Sequence, residues 1–507
     1  MALTASRTTV VMNTLGAYAR SLVSLFLGIF TARWVLLGLG KVDLGLFAVV
    51  GTIITFITFV NSVMSQSASR HLAYALGKGE NVKQWFNASL SVHTLVPLLL
   101  VLVGYPIGTY VVAHGLTIPP ERQEACQWVF RLSLFNAFFS MVSVPFGALY
   151  IARQRIAEQS LYGVATTCMN CVLAYVLLSW QGDRLVFYST SVTGISLLML
   201  VVYLVRSWYI FPESHLDFSS WLDRAKVKAL FSFASWNALG AFGWLVKNQG
   251  LVILTNKFFG PTVNAAMGVA QQVGNQVNSL SQALMNALTP EIVSTEGAGD
   301  RPRMLRLSMS ANRFSSLLLF VFAFPLCLEM DYVLRLWLKA PPEWSVLFCQ
   351  LTLLGMFFNN LTTGHAIAMG ANGKIAAYQV TMGGMMVMSL PVAFVGCHLR
   401  LEPWVVLAVS ACTLGILSLG RVFWARRLIS MPVRPWLTGL VLRFAVLIAV
   451  ECVFLFPVHR FMAASFCRLC IIFALSGGLT IVGAVFFILS IQERAFLVGR
   501  IRARLKR

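Results

Sequence analysis

Residues 231–257 read FSFASWNALGAFGWLVKNQGLVILTNK, and residues 262–293 read TVNAAMGVAQQVGNQVNSLSQALMNALTPEIV. Each run is long and apolar enough to form a helix that crosses a bilayer. Both carry more amide than a lipid-facing helix tolerates. Lys247, Asn248 and Gln249 stand together in the middle of the first run. In the second, at 3.6 residues per turn, Asn264, Gln271, Asn275, Asn278, Gln282 and Asn286 fall within one narrow arc. An unpaired polar group in hydrocarbon is costly, so this arc faces protein or water. The hairpin reads as one wall of a hydrophilic passage.

The rest of the chain agrees with a membrane setting. Of its 507 residues, 58% are hydrophobic and 11% charged, and the mean hydropathy is +0.76. Such a composition excludes a soluble globular protein. Fourteen spans are expected, near 11–38, 43–68, 88–113, 124–151, 158–180, 185–208, 229–257, 262–293, 307–331, 345–370, 376–398, 403–425, 436–457 and 467–490. With the N-terminus cytoplasmic, 26 of the 39 Lys and Arg fall on the cytoplasmic side, 9 on the outer side and 4 within spans. The positive-inside rule therefore places both termini in the cytoplasm. The net charge of +21 is thus mainly an orientation signal, and no nucleic-acid partner is expected. The tail from Glu493 to Arg507 is basic enough to lie on anionic headgroups.

An internal repeat organises the chain. SRHLAYALGKGE from Ser69 matches TPEIVSTEGAGD from Thr289 at an offset of 220, which also places Gly40 on Gly260, Gly77 on Gly297 and Gly79 on Gly299. FGALYIARQRIA from Phe146 follows TGHAIAMGANGKIA from Thr363, with the offset drifting from 217 to 219. The expected fold is all-α and polytopic, with two pseudo-symmetric six-helix lobes and two further helices. Its divisions are 1–210 (N-lobe), 211–400 and 401–430 (C-lobe), and 431–507 (helices 13 and 14 with the tail). Shifting the amide arc back by 220 lands on Gly51, Thr55, Thr58, Ser62 and Gln66, a matching face of small polar residues. Small polar residues also pack helices against one another, which is the competing reading of that face.

Four cations lie within spans: Arg20, Arg33, Arg131 and Lys247. Each requires a partner or an aqueous cavity, although Arg33 and Arg131 are near enough to span ends to snorkel. Glu451 is the clear mid-span carboxylate. Cations and amides without carboxylates suit an anion such as a phosphate with attached sugar hydroxyls, not an organic cation. His93 and His365 are candidate proton relays, with packing as the competing role. Cys168/Cys171 and Cys467/Cys470 have C-x-x-C spacing but no companion ligands, so they read as packing residues and no metal or cofactor is expected. Nucleophile elbows, P-loops and loops large enough to carry a catalytic domain are missing from the sequence, so it does not read as an enzyme.

The stretch WNALGAFGWLVKNQGLVILTNKFFGPTVNAAMGVAQQV with NALTPEIVSTEGAGD resembles the Wzx-like polysaccharide-transporter and O-antigen flippase family of the multidrug/oligosaccharidyl-lipid/polysaccharide exporter superfamily. DLGLFAVVGTIITFITFVNSVMSQSASRHLAYALGKG, LWLKAPPEW and GKIAAYQ extend the resemblance over most of residues 10–400. Family members often read N-A-A-R-G where this chain has Met267, so a cation is missing there. The resemblance implies a bacterial inner-membrane flippase that moves undecaprenyl-pyrophosphate-linked oligosaccharide to the periplasmic leaflet by alternating access. Its expected partners are that anionic glycolipid, membrane lipids and polysaccharide-assembly proteins. On this reading Arg20, Arg33, Arg131 and Lys247 neutralise the pyrophosphate. Asn248, Gln249, Gln271, Asn275, Asn278, Gln282, Thr55, Thr58 and Ser62 bond the glycan. The rival readings are a lipid II flippase of the same superfamily, a multidrug or cation antiporter, and a membrane glycan polymerase or ligase.

Overall fold

Two glycines set the plan of the chain. Gly40 (φ 75°, ψ 174°) and Gly260 (φ 82°, ψ 179°) adopt backbone angles that strongly favour glycine. Each bends a very long helix into two arms. The computed structural model describes residues 7–115, 118–217, 221–338 and 340–489. Helix α1 (Arg7–Lys78) has arms 7–39 and 41–78, and α7 (Arg224–Gly297) has arms 224–259 and 261–297.

The elements that follow repeat in the same order. After α1 come α2 (Val82–Tyr110), the broken pair α3 (Gln123–Val142) and α4 (Val144–Ala152), α5 (Ile156–Val176) and α6 (Arg184–Ile210). After α7 come α8 (Arg301–Leu338), the broken pair α9 (Ser345–Asn360) and α10 (Thr363–Asn372), α11 (Ala376–His398) and α12 (Trp404–Ile429). Helices α13 (Val433–Phe461) and α14 (Phe466–Ile488) are appended. The described residues contain no strand, and the fourteen spans expected are not all reached, because the second arms of α1 and α7 are not among the helices that qualify as spans. Eleven helices are long and apolar enough to cross a membrane, or twelve if the α9–α10 pair, bent by 42°, forms one span.

The repeat extends to individual backbone angles. Gly79 (φ 73°) and Gly299 (φ 78°) both stand in the left-handed region just after their helices, where glycine is the favoured terminator. Gln154 (φ 60°) and Gly373 (φ 84°) share that conformation at an offset of 219. The offsets seen in the sequence are therefore structural equivalences.

The chain divides into two compact units, 1–238 with 289–300, and 239–288 with 301–507. Their edges fall within α7, so each arm of that helix belongs partly to both.

In the first unit, α5 lies directly on the first arm of α1. A Cβ at Gly16 would meet Ala157 Cα at 3.1 Å, Asn13 Nδ2 donates to Gln154 O (2.9 Å), and Ala157 N donates to Asn13 Oδ1 (3.0 Å). The core under the far ends gathers Val35, Leu39, Val50, Val129, Phe130, Leu177 and Leu185, and Arg122 there ion-pairs with both Asp43 and Asp183.

In the second unit, Leu251, Ala266, Ala270, Phe348, Leu353 and Val406 form one core. Helices α13 and α14 dock on α8 and the end of α9 through another that includes Phe320, Leu361, Trp436, Leu440 and Phe444.

Candidate functional site

Each unit carries a polar constellation of its own. In the second unit, glycine steps bring α7 against α11. A Cβ at Gly243 would meet Gly383 Cα at 2.7 Å, and one at Gly250 would meet the Leu390 side chain at 2.5 Å. Lys247 stands on that same face, one turn from each glycine, and is only 2% exposed. Its ammonium lies 5.3 Å from the Trp244 ring centroid, and none of the ion pairs among the described residues involves it. Residues 229–288 contain no Asp or Glu, so no acid of α7 lies near the cation along the helix. Asn248 beside it is half-buried and Gln249 exposed.

The second arm of α7 buries Ala266, Ala270, Gly274, Val277 and Ser281 and leaves the opposite face uncovered. That face carries Gln272, Asn275, Gln276, Gln282 and Asn286. The expected arc is displaced from it. Asn275, Gln282 and Asn286 are exposed, but Gln271, Asn278 and Asn264 lie at its edge, half-buried. Asn278 Oδ1 accepts from Asn360 Nδ2 (3.2 Å), so this amide is partly engaged in structure. Gln272 and Gln276 stand at the centre of the open face and outside the expected arc, because the small buried residues opposite them, not the amide spacing, set which face is open.

The α9–α10 break is held from several helices. Asn359 O accepts from Arg421 Nη1 (3.3 Å), Asn360 O from Ser315 Oγ (3.3 Å) and Leu361 O from Trp436 Nε1 (3.0 Å), while Gly364 N donates to Asn312 Oδ1 (2.6 Å). Backbone groups freed by a break inside a membrane must be satisfied by protein. His365 belongs to this scaffold: it is fully buried, and Nδ1 pairs with Asn312 Nδ2 at 2.6 Å. Its Nε2 has no hydrogen-bond partner.

In the first unit, Arg20 is exposed and lies over α5, where a Cβ at Gly163 would come within 2.3 Å of its Nε. Arg33 and Arg131 are exposed as well, and Arg131 sits 5.8 Å from the Trp128 ring centroid. None of these three has a carboxylate partner among the described residues. Ser62 is exposed and donates to Phe59 O of its own helix (2.9 Å). The side chains of Thr55 and Thr58 lie outside the described residues, as does the basic tail. Asn61 Nδ2 donates to Ser140 Oγ (3.3 Å) beside the α3–α4 break, and Asn237 Nδ2 to Gln66 Oε1 (2.8 Å). His93 is buried, with Nδ1 bonded to Ser89 O at 2.8 Å and Nε2 unpartnered beside a small cavity that Ser67 also lines.

The turns that follow α1 and α7 lock together within the first unit. A Cβ at Gly77 would stand 1.8 Å from Ser294 O, and one at Gly297 would stand 2.2 Å from Tyr74 O. Arg70 lies over Tyr74 (4.8 Å) and Phe233 (5.3 Å). Close by, Lys78 Nζ donates to Glu80 at 2.7 Å and, with Trp85 Nε1 (2.8 Å), holds that carboxyl below its ordinary range. Asp223, which caps α7, is likewise held low, first by Lys226 Nζ at 2.5 Å and then by backbone N–H groups.

One charged group escaped the sequence reading. Glu329 is wholly buried at a non-helical point of α8, and its Oε2 accepts from Arg468 Nη2 (2.7 Å) and Nε (3.2 Å). Oε1 pairs with His459 Nδ1 at 2.8 Å. Glu451, also buried, accepts from Ser476 (2.8 Å) and Thr480 (2.6 Å) and so ties α13 to α14.

No family model matches the chain, and no curated protein matches it in sequence. Solved structures do match its fold. A MATE transporter in the straight conformation superposes with a TM-score of 0.72 at 12% identity, over 83% of this chain and 96% of that one. An outward-facing multidrug resistance MATE family transporter of the MOP superfamily gives 0.72 at 13% identity, over 83% and 95%. A MOP superfamily transporter from Pyrococcus furiosus, described as having a binding pocket whose reverse polarity suggests a different function, gives 0.70 at 13%, over 83% and 95%. The chain is a multi-pass membrane protein with the two-lobed helical fold of these transporters.

Proposed function

We propose that the protein is a flippase that carries an undecaprenyl-pyrophosphate-linked oligosaccharide from the cytoplasmic to the periplasmic leaflet of a bacterial inner membrane by alternating access, with both termini cytoplasmic. The observation that carries this reading is Lys247, a buried cation without a carboxylate partner, on the same helix hairpin as an uncovered row of amides. A buried cation lacking an internal counter-ion favours an anionic ligand. Amides both donate and accept, which suits sugar hydroxyls. Arg20, Arg33 and Arg131 supply exposed cations on the first unit, and Asn275, Gln282, Gln272 and Gln276 supply glycan contacts on the second. Ser62, Thr55 and Thr58 extend the polar set, while Asn278 and Gln271 contribute from the margin of the amide face. His93 and His365 serve as scaffold or proton relay. The pyrophosphate is drawn outward by an inside-negative potential, about 2.3 kcal/mol per charge per 100 mV.

Two of the matching structures bear on the choice of cargo. The neighbour whose binding pocket is described as having reverse polarity, suggesting a different function, is consistent with this fold serving more than one kind of cargo. The multidrug resistance neighbour keeps drug efflux as the second reading. An organic cation needs an acid to bind, and residues 7–39 contain none. Lipid II presents the same pyrophosphate chemistry, and the glycan exported in vivo separates it from the leading reading.

Lys247→Arg and Lys247→Met, reconstituted in proteoliposomes with fluorescent lipid-linked oligosaccharide, test the proposal. Flipping at least tenfold slower in the methionine variant, with most activity kept by arginine and melting points unchanged, is the expected result. Full flipping by Lys247→Met, or drug efflux without glycolipid transport, would overturn it.

A further inference from the structure

The first unit contains a cavity of about 420 Å³ that takes no part in the reading above. It lies between α2, the α3–α4 break, the last turns of α6 and the segment that follows α6. That volume is within the range of small-molecule sites, roughly 300–1,000 Å³. What fills it follows from its walls. Leu90, Phe146, Leu204, Val205 and Leu216 are apolar, and the two hydroxyls that reach the cavity are already engaged. Thr94 Oγ1 donates to Leu90 O (2.8 Å), and Ser214 Oγ donates to Phe211 O (2.8 Å) and Ser207 O (3.0 Å). A buried water needs two to four polar partners, and the walls offer it almost none. Left empty, a space of this size forfeits the dispersion contacts of its whole lining. Hydrocarbon is the remaining occupant.

The entrance shows where the hydrocarbon comes from. Leu204, Val205 and Trp208 line the cavity yet are 37%, 52% and 54% exposed, and they occupy the last two turns before α6 ends at Ile210. Side chains so placed on an apolar span face lipid acyl chains near one membrane surface. Trp208 is the kind of amphipathic ring that favours the headgroup level, and His215 packs on it at 4.5 Å. Arg206, on the side of α6 away from the cavity, shares Glu158 of α5 with Arg155, so this end of the helix carries cations at the level of lipid phosphates.

We infer that this cavity binds one acyl chain of a membrane phospholipid, with the headgroup at the end of α6. The site is separate from Lys247 and from the α7 amides.

The test uses the full chain reconstituted in nanodiscs of palmitoyl-oleoyl phosphatidylglycerol and phosphatidylethanolamine in equal parts. The protein is transferred to detergent and read by native mass spectrometry with fragmentation of any retained lipid. Wild type should keep one phospholipid per chain. Thr94→Phe and Val205→Trp, which fill the cavity from opposite walls, should each lower that occupancy at least tenfold. Val380→Trp, on the exposed face of α11, should leave it unchanged. Retention of nothing, of detergent or of a polyprenyl carrier by the wild type would overturn the inference without reference to any variant. Equal retention by wild type and a filling variant that melts like wild type would also overturn it.

Discussion

The contact of Gly77 with Ser294 offers the sharpest test of the structure. In Gly77→Ala, a methyl carbon would be placed 1.8 Å from Ser294 O, 2.5 Å from Ser294 C and 2.8 Å from Ser294 Cα. All three atoms belong to backbone within a helix, so no side chain can swing aside. The separation has to grow from 1.8 Å to beyond 3.0 Å before the methyl is accommodated. Overpacking of this kind costs about 1–3 kcal/mol, which shifts the balance between joined and separated helix ends by about fivefold to 150-fold. Gly268→Ala is the matched control. It adds the same methyl to α7, the helix that carries Ser294, but nothing lies within 4 Å of it, and it should stabilise by about 0.5–1 kcal/mol through helix propensity alone. The assay is cross-linking between cysteines introduced at Lys78 and Ala298 on a cysteine-free background. Wild type and Gly268→Ala should cross-link readily, and Gly77→Ala at least about fivefold more slowly. Equal cross-linking by Gly77→Ala, at an unchanged melting point, would refute the reasoning, because the two turns would then not be in the contact described.

Two further predictions concern charge. Glu329→Gln leaves the Arg468 guanidinium buried without its counter-ion and should cost about 3–5 kcal/mol, whereas Glu329→Leu with Arg468→Met should cost distinctly less; equal losses in thermal or chemical melts would show that the pair is not closed. Asp223 titrates below its ordinary value because Lys226 and the α7 N–H groups favour its charged form. A carboxyl with a depressed folded-state pKa contributes stability above its unfolded pKa and loses it as pH falls through the lower, folded one. The melting-point gap between wild type and Asp223→Asn should therefore be constant near neutrality and shrink below about pH 3.8, the ordinary value; a gap independent of pH down to 3 would contradict the ion pair.

Much of this architecture is local information. Apolar runs of span length require helices, because only a helix satisfies its own backbone in hydrocarbon. The repeat could be read from a few glycines because a left-handed or extended-glycine backbone angle is a property of one residue, not of its distant neighbours. Gly40, Gly79, Gly260 and Gly299 thus declared the doubled plan in the sequence, and the structure places all four at positive φ. The polar character of the α7 hairpin was legible in the same way. Composition alone states which amides are present.

What the sequence could not settle depends on which helix lies beside which. Periodicity gives the angle of each amide around α7 but not the zero of that angle. The packing of Ala270, Gly274 and Val277 fixes it, making Gln272 and Gln276 central and drawing Asn278 toward Asn360. Lys247 reads in sequence as one cation among four, and becomes distinct only because Gly243 and Gly250 let α11 close over it. Glu329 and Arg468 are 139 residues apart, and only the packing of α14 against α8 brings them together. Backbone conformation and helix formation are written within a few residues, whereas burial and charge pairing are decided by contacts between segments that the chain must first fold to bring together.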